Sequence, residues 1–282
     1  MTPDHHRPEE HDLGLGHDLP TLLNRRRALG LLSGAGLAAA LAACGGGNDT
    51  ASTNRSGPPP SEGGGGPESS VEVADGEVPE ETGGPFPADG TNGVNVLTES
   101  GIVRSDITGS FGEASGVAQG VATTIALTIL NMDDGDVKPY DGAAIYIWHC
   151  DAEGRYSMYD QGAADENYLR GVQVADAQGK VEFRSIFPAA YDGRWPHIHF
   201  EVYPTQQAAV SASDKLRTSQ IALPEDASRK VYASAGYSGS SANLARTSLK
   251  SDMVFSDGYS LQMAKVSNSV DDGMTISLSI AV

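Results

Sequence analysis

From Thr124 to Ile129 the larger apolar side chains alternate with small or hydroxyl-bearing residues. That period of two is what one buried sheet face produces. The C-terminal run from Met274 to Val282 alternates more cleanly still, and Ala144 to Trp148 is apolar enough to predict a buried strand. Val181 to Ile186 follows a turn signal at Asp176-Ala177-Gln178-Gly179, and a further strand starts at His197. One helix is predicted, opening at Pro224-Glu225-Asp226 and running to about Ala233, with proline and two acids in its first turn. Short strands separated by Gly and Asp turns predict an all-β fold, a β-sandwich, over residues 95–282. No internal repeat is present.

The first 94 residues lack this pattern. Asn24-Arg25-Arg26-Arg27 precedes a soft apolar run from Ala28 to Ala43. At about 16 residues, three of them glycine, that run is short for a membrane-spanning helix, which needs about 20. It ends in Leu41-Ala42-Ala43-Cys44, which resembles a bacterial lipobox. Residues 1–43 are therefore expected to be a twin-arginine, lipoprotein-type signal peptide. Cys44 would carry the lipid as the new N-terminus and hold the protein to the membrane of the bacterial cell envelope, facing outside the cytoplasm. The alternative is an uncleaved signal anchor. Residues 44–94 are rich in Gly, Pro, Ser and Glu and are expected to be a disordered, flexible linker.

Charge narrows the function. With 37 acidic against 19 basic residues the formal net charge is −18. Nucleic-acid binding needs clustered Lys and Arg, so it is excluded as a partner. Removing the leader also removes His5, His6, His11 and His17, which leaves His149, His197 and His199 in the mature chain. His197 and His199 stand two apart on a strand, so both imidazoles leave one face while Ile198, Phe200 and Val202 point the other way. Two imidazoles on one face of a packed strand form half of a metal site. Cys150, beside His149, is expected to be a buried, unpaired thiol.

The segment Tyr191-Asp192-Gly193-Arg194-Trp195-Pro196-His197-Ile198-His199 resembles the intradiol ring-cleavage dioxygenase family. So do Trp148-His149-Cys150 with Tyr156, Val103-Arg104-Ser105-Asp106, Leu169-Arg170-Gly171-Val172-Gln173 and Phe183-Arg184-Ser185-Ile186. The likeness spans residues 95 to 235. It implies a non-haem Fe(3+) held by Tyr156, Tyr191, His197 and His199, with Tyr191 the axial ligand. It also implies Arg194 beside the substrate and Gln220 behind it. The reaction implied is cleavage of a catechol-type ring between its two hydroxylated carbons with O2, giving a muconate-type diacid. Phenolate ligands suit a hard ferric ion, since a nearby cation favours the ionised phenol. The family usually carries Pro-Gly-x-Tyr, whereas Ala189 stands here at the glycine position, and a positive φ there would strain it.

Two other readings compete. One is a sandwich that binds metal or aromatic ligands without turnover. The other is a copper or zinc site on His149, His197 and His199. Tyrosinate bound to iron(III) makes a protein red-brown, zinc leaves it colourless and copper turns it blue or green, so colour separates them. An oligomer is also open to it: the larger catechol dioxygenases pair through a helical segment, where only the expected linker precedes this sandwich.

Overall fold

The computed structural model describes residues 76–133 and 136–282. The expected signal peptide, Cys44 and the linker up to residue 75 lie outside the described residues. Among the described residues nine strands form two sheets: β1 (Ala122–Asp133), β2 (Asp136–Pro139), β3 (Ala144–Trp148), β4 (Arg170–Val174), β5 (Lys180–Ile186), β6 (His197–Tyr203), β7 (Arg217–Ala222), β8 (Lys265–Ser267) and β9 (Met274–Ala281). Among the described residues three short α-helices accompany them, α1 (Gln206–Val210), α2 (Glu225–Tyr232) and α3 (Ser240–Arg246), with one 3-10 turn at Phe255–Asp257.

The larger sheet is ordered β2-β1-β9-β8, with β5 also paired to β1. The alternation in β1 works as the pattern predicts: Thr123, Ile125, Leu127 and Ile129 are buried, and the residues between them are not. The C-terminal strand β9 lies parallel to β1, from Thr123 opposite Met274 to Leu130 opposite Ala281. Its Met274, Ile276 and Ile280 face the same core. The smaller sheet is antiparallel throughout, in the order β4-β3-β6-β7. Ile198, Phe200 and Val202 from β6 join Ile145 and Ile147 from β3 in that core. The architecture is the expected all-β sandwich.

The other face of the smaller sheet carries His197, His199, Trp148, Arg170 and Gln220, because residues opposite one another across a ladder share a face. Water usually covers such a face. Here the chain itself covers it, and that corrects the expected linker boundary at residue 94. Residues 76–94 belong to the folded unit and form a strap over the sheet. Val78 and Ala88 are buried, Val78 N–H donates to the Ala281 carbonyl, and Glu81 N–H donates to the Thr218 carbonyl. The Pro87 carbonyl accepts from the Tyr146 hydroxyl at 2.8 Å, and the Phe86 carbonyl accepts from Arg170 Nη1 at 2.9 Å. Composition suggested a spacer, but buried donors on the sheet need acceptors, and the strap's carbonyls meet them.

The predicted helix is α2. Pro224 is its N-cap, Glu225 and Asp226 lie at its positive end, and Arg229 and Lys230 at its negative end. Its buried face presents Tyr232, whose hydroxyl donates to the Pro188 carbonyl at 3.0 Å. From α3, Asn243 Nδ2 donates to the Ala190 carbonyl at 2.8 Å. The two helices thus brace the loop that delivers Tyr191.

Candidate metal centre

Both histidines of β6 are buried and held by their neighbours. Trp148 stacks on His199 with ring centroids 4.8 Å apart and planes inclined by 6°. His197 Nδ1 lies 2.5 Å from the Trp195 carbonyl oxygen. A carbonyl only accepts, so Nδ1 carries the proton and the lone pair on Nε2 points into the site. Burial, with Arg194 nearby, pushes the His197 pKa down to about 3, and burial pushes His199 down as well. Both rings are therefore neutral, the form that binds metals.

Tyr156 arrives on the loop between β3 and β4. Asp151 shapes that loop: its Oδ1 accepts from the backbone N–H groups of Glu153 and Arg155, each at 2.9 Å. The Tyr156 ring then lies against Phe86 of the strap at 4.8 Å. Tyr191 arrives on the loop between β5 and β6. The two loops touch at Gly154, which has φ +86; a Cβ there would stand 3.2 Å from the Cβ of Tyr191. Ala189 is not among the residues with positive φ, so alanine sits there without that strain.

Four donor atoms converge. His197 Nε2 lies 3.1 Å from His199 Nε2, 3.1 Å from the Tyr191 hydroxyl and 3.4 Å from the Tyr156 hydroxyl. The two hydroxyls are themselves 3.4 Å apart. With metal–donor bonds of about 2.0–2.2 Å, neighbouring donors around one ion stand about 3.3 Å apart. As a purely hydrogen-bonded cluster the arrangement is overloaded, because three potential donors face the single lone pair of His197 Nε2. A cation at the centre would resolve that crowding, so the residues fit a metal ion. Burial raises the Tyr191 pKa to about 12 and also holds that of Tyr156 well above the ordinary tyrosine value. A metal ion would reverse this by favouring both phenolates.

His149 takes no part. Its Nδ1 faces the Cys150 carbonyl and its Nε2 the Ser185 hydroxyl, each at 2.8 Å. Among the described residues no group of three or more His, Cys, Asp or Glu could hold a metal ion. A three-histidine copper or zinc site has no geometric basis here. Cys150 is buried and free, with its thiol 3.6 Å from the Ala189 carbonyl.

Arg194 and Gln220 meet beside the cluster, with Arg194 Nη2 donating to Gln220 Oε1 at 2.6 Å. Two partners were not anticipated from sequence. Asp252, fully buried, accepts from Arg194 Nε at 2.9 Å and from the Trp195 N–H at 2.7 Å. The Thr82 carbonyl accepts from Gln220 Nε2 at 2.8 Å. Gly84 of the strap lies so near His199 that a Cβ on it would be 3.4 Å from the ring. Val78 and Phe86-Pro87 were the available signal for the strap, being bulky apolar positions in an otherwise polar stretch. Asp252 gave none.

A dioxygenase family model, described as "Dioxygenase", matches residues 111–214. The chain is 41% identical over 54 residues to a catechol 1,2-dioxygenase of Pseudomonas sp. (strain EST1001), covering 19% of this chain and 18% of that protein. It is 47% identical over 60 residues to a chlorocatechol 1,2-dioxygenase of Pseudomonas sp. (strain P51), covering 21% and 22% respectively. The matches thus span about a fifth of the length of these relatives. Among solved structures, an intradiol ring-cleavage dioxygenase from Tetranychus urticae superposes with a TM-score of 0.52 at 25% identity, covering 65% of this chain and 87% of that one.

Proposed function

We propose that the chain is a member of the intradiol ring-cleavage dioxygenase family and an iron(III) enzyme cleaving catechol-type rings between their two hydroxylated carbons, a reading supported by the matches to dioxygenase relatives and by the shared fold. The observation that carries the proposal is the convergence of two imidazole nitrogens and two phenol oxygens at 3.1 to 3.4 Å. His197 and His199 would supply the neutral ligands, and Tyr156 and Tyr191 the anionic ones. When bound, ferric iron would draw electron density from a chelated catechol and prepare its ring for O2.

The residues themselves divide the remaining work. Tyr156 is fully buried and packed against Phe86, which suits a ligand that stays in place. Tyr191 is half-buried, unlike Tyr156, which suits a ligand that turns away and takes a substrate proton on its phenolate oxygen. Arg194 presents a fixed positive charge beside the cluster, where negative charge would develop on the ring during the reaction. Phe86 of the strap, packed against Tyr156, and Trp148, stacked on His199, cover these ligands with aromatic rings.

The proposal extends to the leader. Arg25, Arg26 and the run ending at Cys44 support export followed by lipid anchoring at the bacterial cell envelope. Cys44 would carry the anchoring lipid; separately, among the described residues no helix is long and apolar enough to cross a membrane.

The decisive experiment is metal analysis of the purified protein with oxygen uptake against a panel of catechols. Stoichiometric iron, a red-brown colour and a diacid product are expected. Iron binding without oxygen uptake would favour the non-catalytic binding module. A colourless zinc protein would sink the proposal outright.

A further inference from the structure

Arg194 is held between Gln220, itself tied to the strap, and Asp252 from the segment after α3. On one side, Gln220 Nε2 donates to the carbonyl of Thr82 in the strap at 2.8 Å. A carbonyl only accepts, so this bond fixes which way the amide faces and leaves Oε1 turned toward Arg194. Arg194 Nη2 donates to that Oε1 at 2.6 Å. On the other side, Asp252 Oδ2 accepts from Arg194 Nε at 2.9 Å, and Asp252 Oδ1 lies 3.4 Å from Nη2. The guanidinium is thus gripped along two edges. Nη1 is left without a protein hydrogen-bond partner among the described residues.

Asp252 is itself rigid. Its Oδ1 accepts from the N–H of Val254 at 2.9 Å and of Phe255 at 3.2 Å, and its Oδ2 from the N–H of Trp195 at 2.7 Å. A carboxylate that is fully buried and takes main-chain donors from two separate loops cannot swing to follow a mobile arginine. Trp195 is also the residue whose carbonyl orients His197. One carboxylate therefore fixes both Arg194 and the backbone next to a metal-site histidine.

We infer that Asp252 is a positioning residue: together with the Thr82–Gln220 bond it locks Arg194 so that Nη1 faces the substrate. The inference rests on the proposed reaction, since it is the substrate that gives the free Nη1 its role. A preorganised cation helps because the barrier then carries no cost of reorienting it during the reaction. A loose arginine would still attract substrate, so the clamp should act on kcat more than on KM.

Two measurements test this. The first is made on the metal-free wild-type protein: the Arg194 Nε–H should give a distinct NMR resonance that exchanges slowly with water. Rapid exchange would overturn the clamp whatever the enzyme does, and this readout needs no variant to fold. The second is a double-mutant cycle on the iron-loaded protein with Asp252→Asn and Arg194→Ala. Asp252→Asn should keep its iron and its resting visible band, lose about tenfold or more in kcat, and change KM by no more than about threefold. In the Arg194→Ala background the same change should cost less than about twofold further, because its target is gone. Losses that multiply would show that Asp252 acts independently of Arg194 and would overturn the inference. Wild-type protein that holds no iron and consumes no oxygen with any catechol would instead defeat the proposed function, with Nε–H exchange still reporting on the clamp.

Discussion

Gly154 couples the two tyrosine loops, and replacing it with alanine should show how tightly the donor cluster is set. Two costs add in Gly154→Ala. The first is conformational: at φ +86 a side chain is strained by about 1–2 kcal/mol, partly offset by about 0.4–1 kcal/mol because alanine restricts the unfolded chain. The second is steric: the new Cβ stands 3.2 Å from the Tyr191 Cβ, an atom fixed to the backbone. One loop must therefore shift by a few tenths of an ångström, and overpacking of this kind costs about 1–3 kcal/mol. Gly142→Ala separates the two, because Gly142 has φ +79 but nothing lies within 4 Å of its Cβ position. Thermal melts of the metal-free proteins should show Gly142→Ala lower by about 2–4 °C and Gly154→Ala by roughly two to three times as much. The displaced loop carries Tyr191, whose oxygen ends a long lever. Gly154→Ala should therefore also shift the tyrosinate band of the iron-loaded protein and slow turnover several-fold, while Gly142→Ala leaves both alone. Equal melting temperatures and identical spectra for the two variants would refute the claim that contact between the loops sets the donor geometry.

Three further outcomes are expected. Tyr191→Phe should keep iron yet react about 10²–10⁴-fold more slowly, through loss of a base for the substrate, whereas Tyr156→Phe should bind iron more weakly; single-turnover kinetics with metal analysis distinguishes them. The metal-free protein should be acid-labile. Burial holds His197 at about 3 and His149 at about 4, with His199 also depressed, while unfolded histidines titrate near ~6.5. Below that pH the unfolded state binds more protons at these rings, while Glu81 and Glu201, raised to about 7 by burial, oppose this by taking up protons in the folded state. The net fall is therefore up to about 1.4 kcal/mol per pH unit between about 6.5 and 4.5 and steepens below 4.5, where unfolded carboxylates are protonated too; denaturant melts between pH 6.5 and 4 that show no loss of stability would contradict it. Cys44→Ser should release the protein from the membrane fraction with activity unchanged, and retention of that variant would rule out the lipid anchor.

The sequence made some of this legible and hid the rest for physical reasons. Alternation in β1 and β9 was readable because one face of each strand meets a core and the other does not. Their parallel pairing, with Thr123 opposite Met274, was not readable, since a strand's pattern does not record its partner. His197 and His199 announced a shared face through their spacing alone. Tyr156 and Tyr191 sit on loops, where no periodicity operates, and only the family resemblance singled them out. The strap was misjudged because its structure depends on carbonyl groups, which every residue carries. Glycine, proline and glutamate in residues 76–94 signalled a spacer, yet Arg170, Tyr146 and Gln220 recruit that backbone as acceptors. Asp252 was hidden similarly. Three of its partners are main-chain N–H groups, and nothing in Ser251-Asp252-Met253 distinguishes it among 37 acidic residues.

Covering the polar face of the smaller sheet explains why structure and chemistry are hard to separate in this protein. In an ordinary antiparallel sheet, water would solvate His197, His199 and Gln220, and their charge states would be unremarkable. The strap removes that water. Loss of solvation drives the imidazoles neutral and holds the phenols protonated, so the cluster is ready to ligate but still carries two protons that a metal must displace. The same dryness makes Arg194 a costly charge to bury unless it is paired, and Asp252 supplies the pairing. The acid lability, the proton-coupled metal site and the clamped arginine therefore share one physical origin. A change that lets water in beneath Phe86 should relax all three together, whereas a change in Tyr191 alone should leave the arginine and the strap as they are.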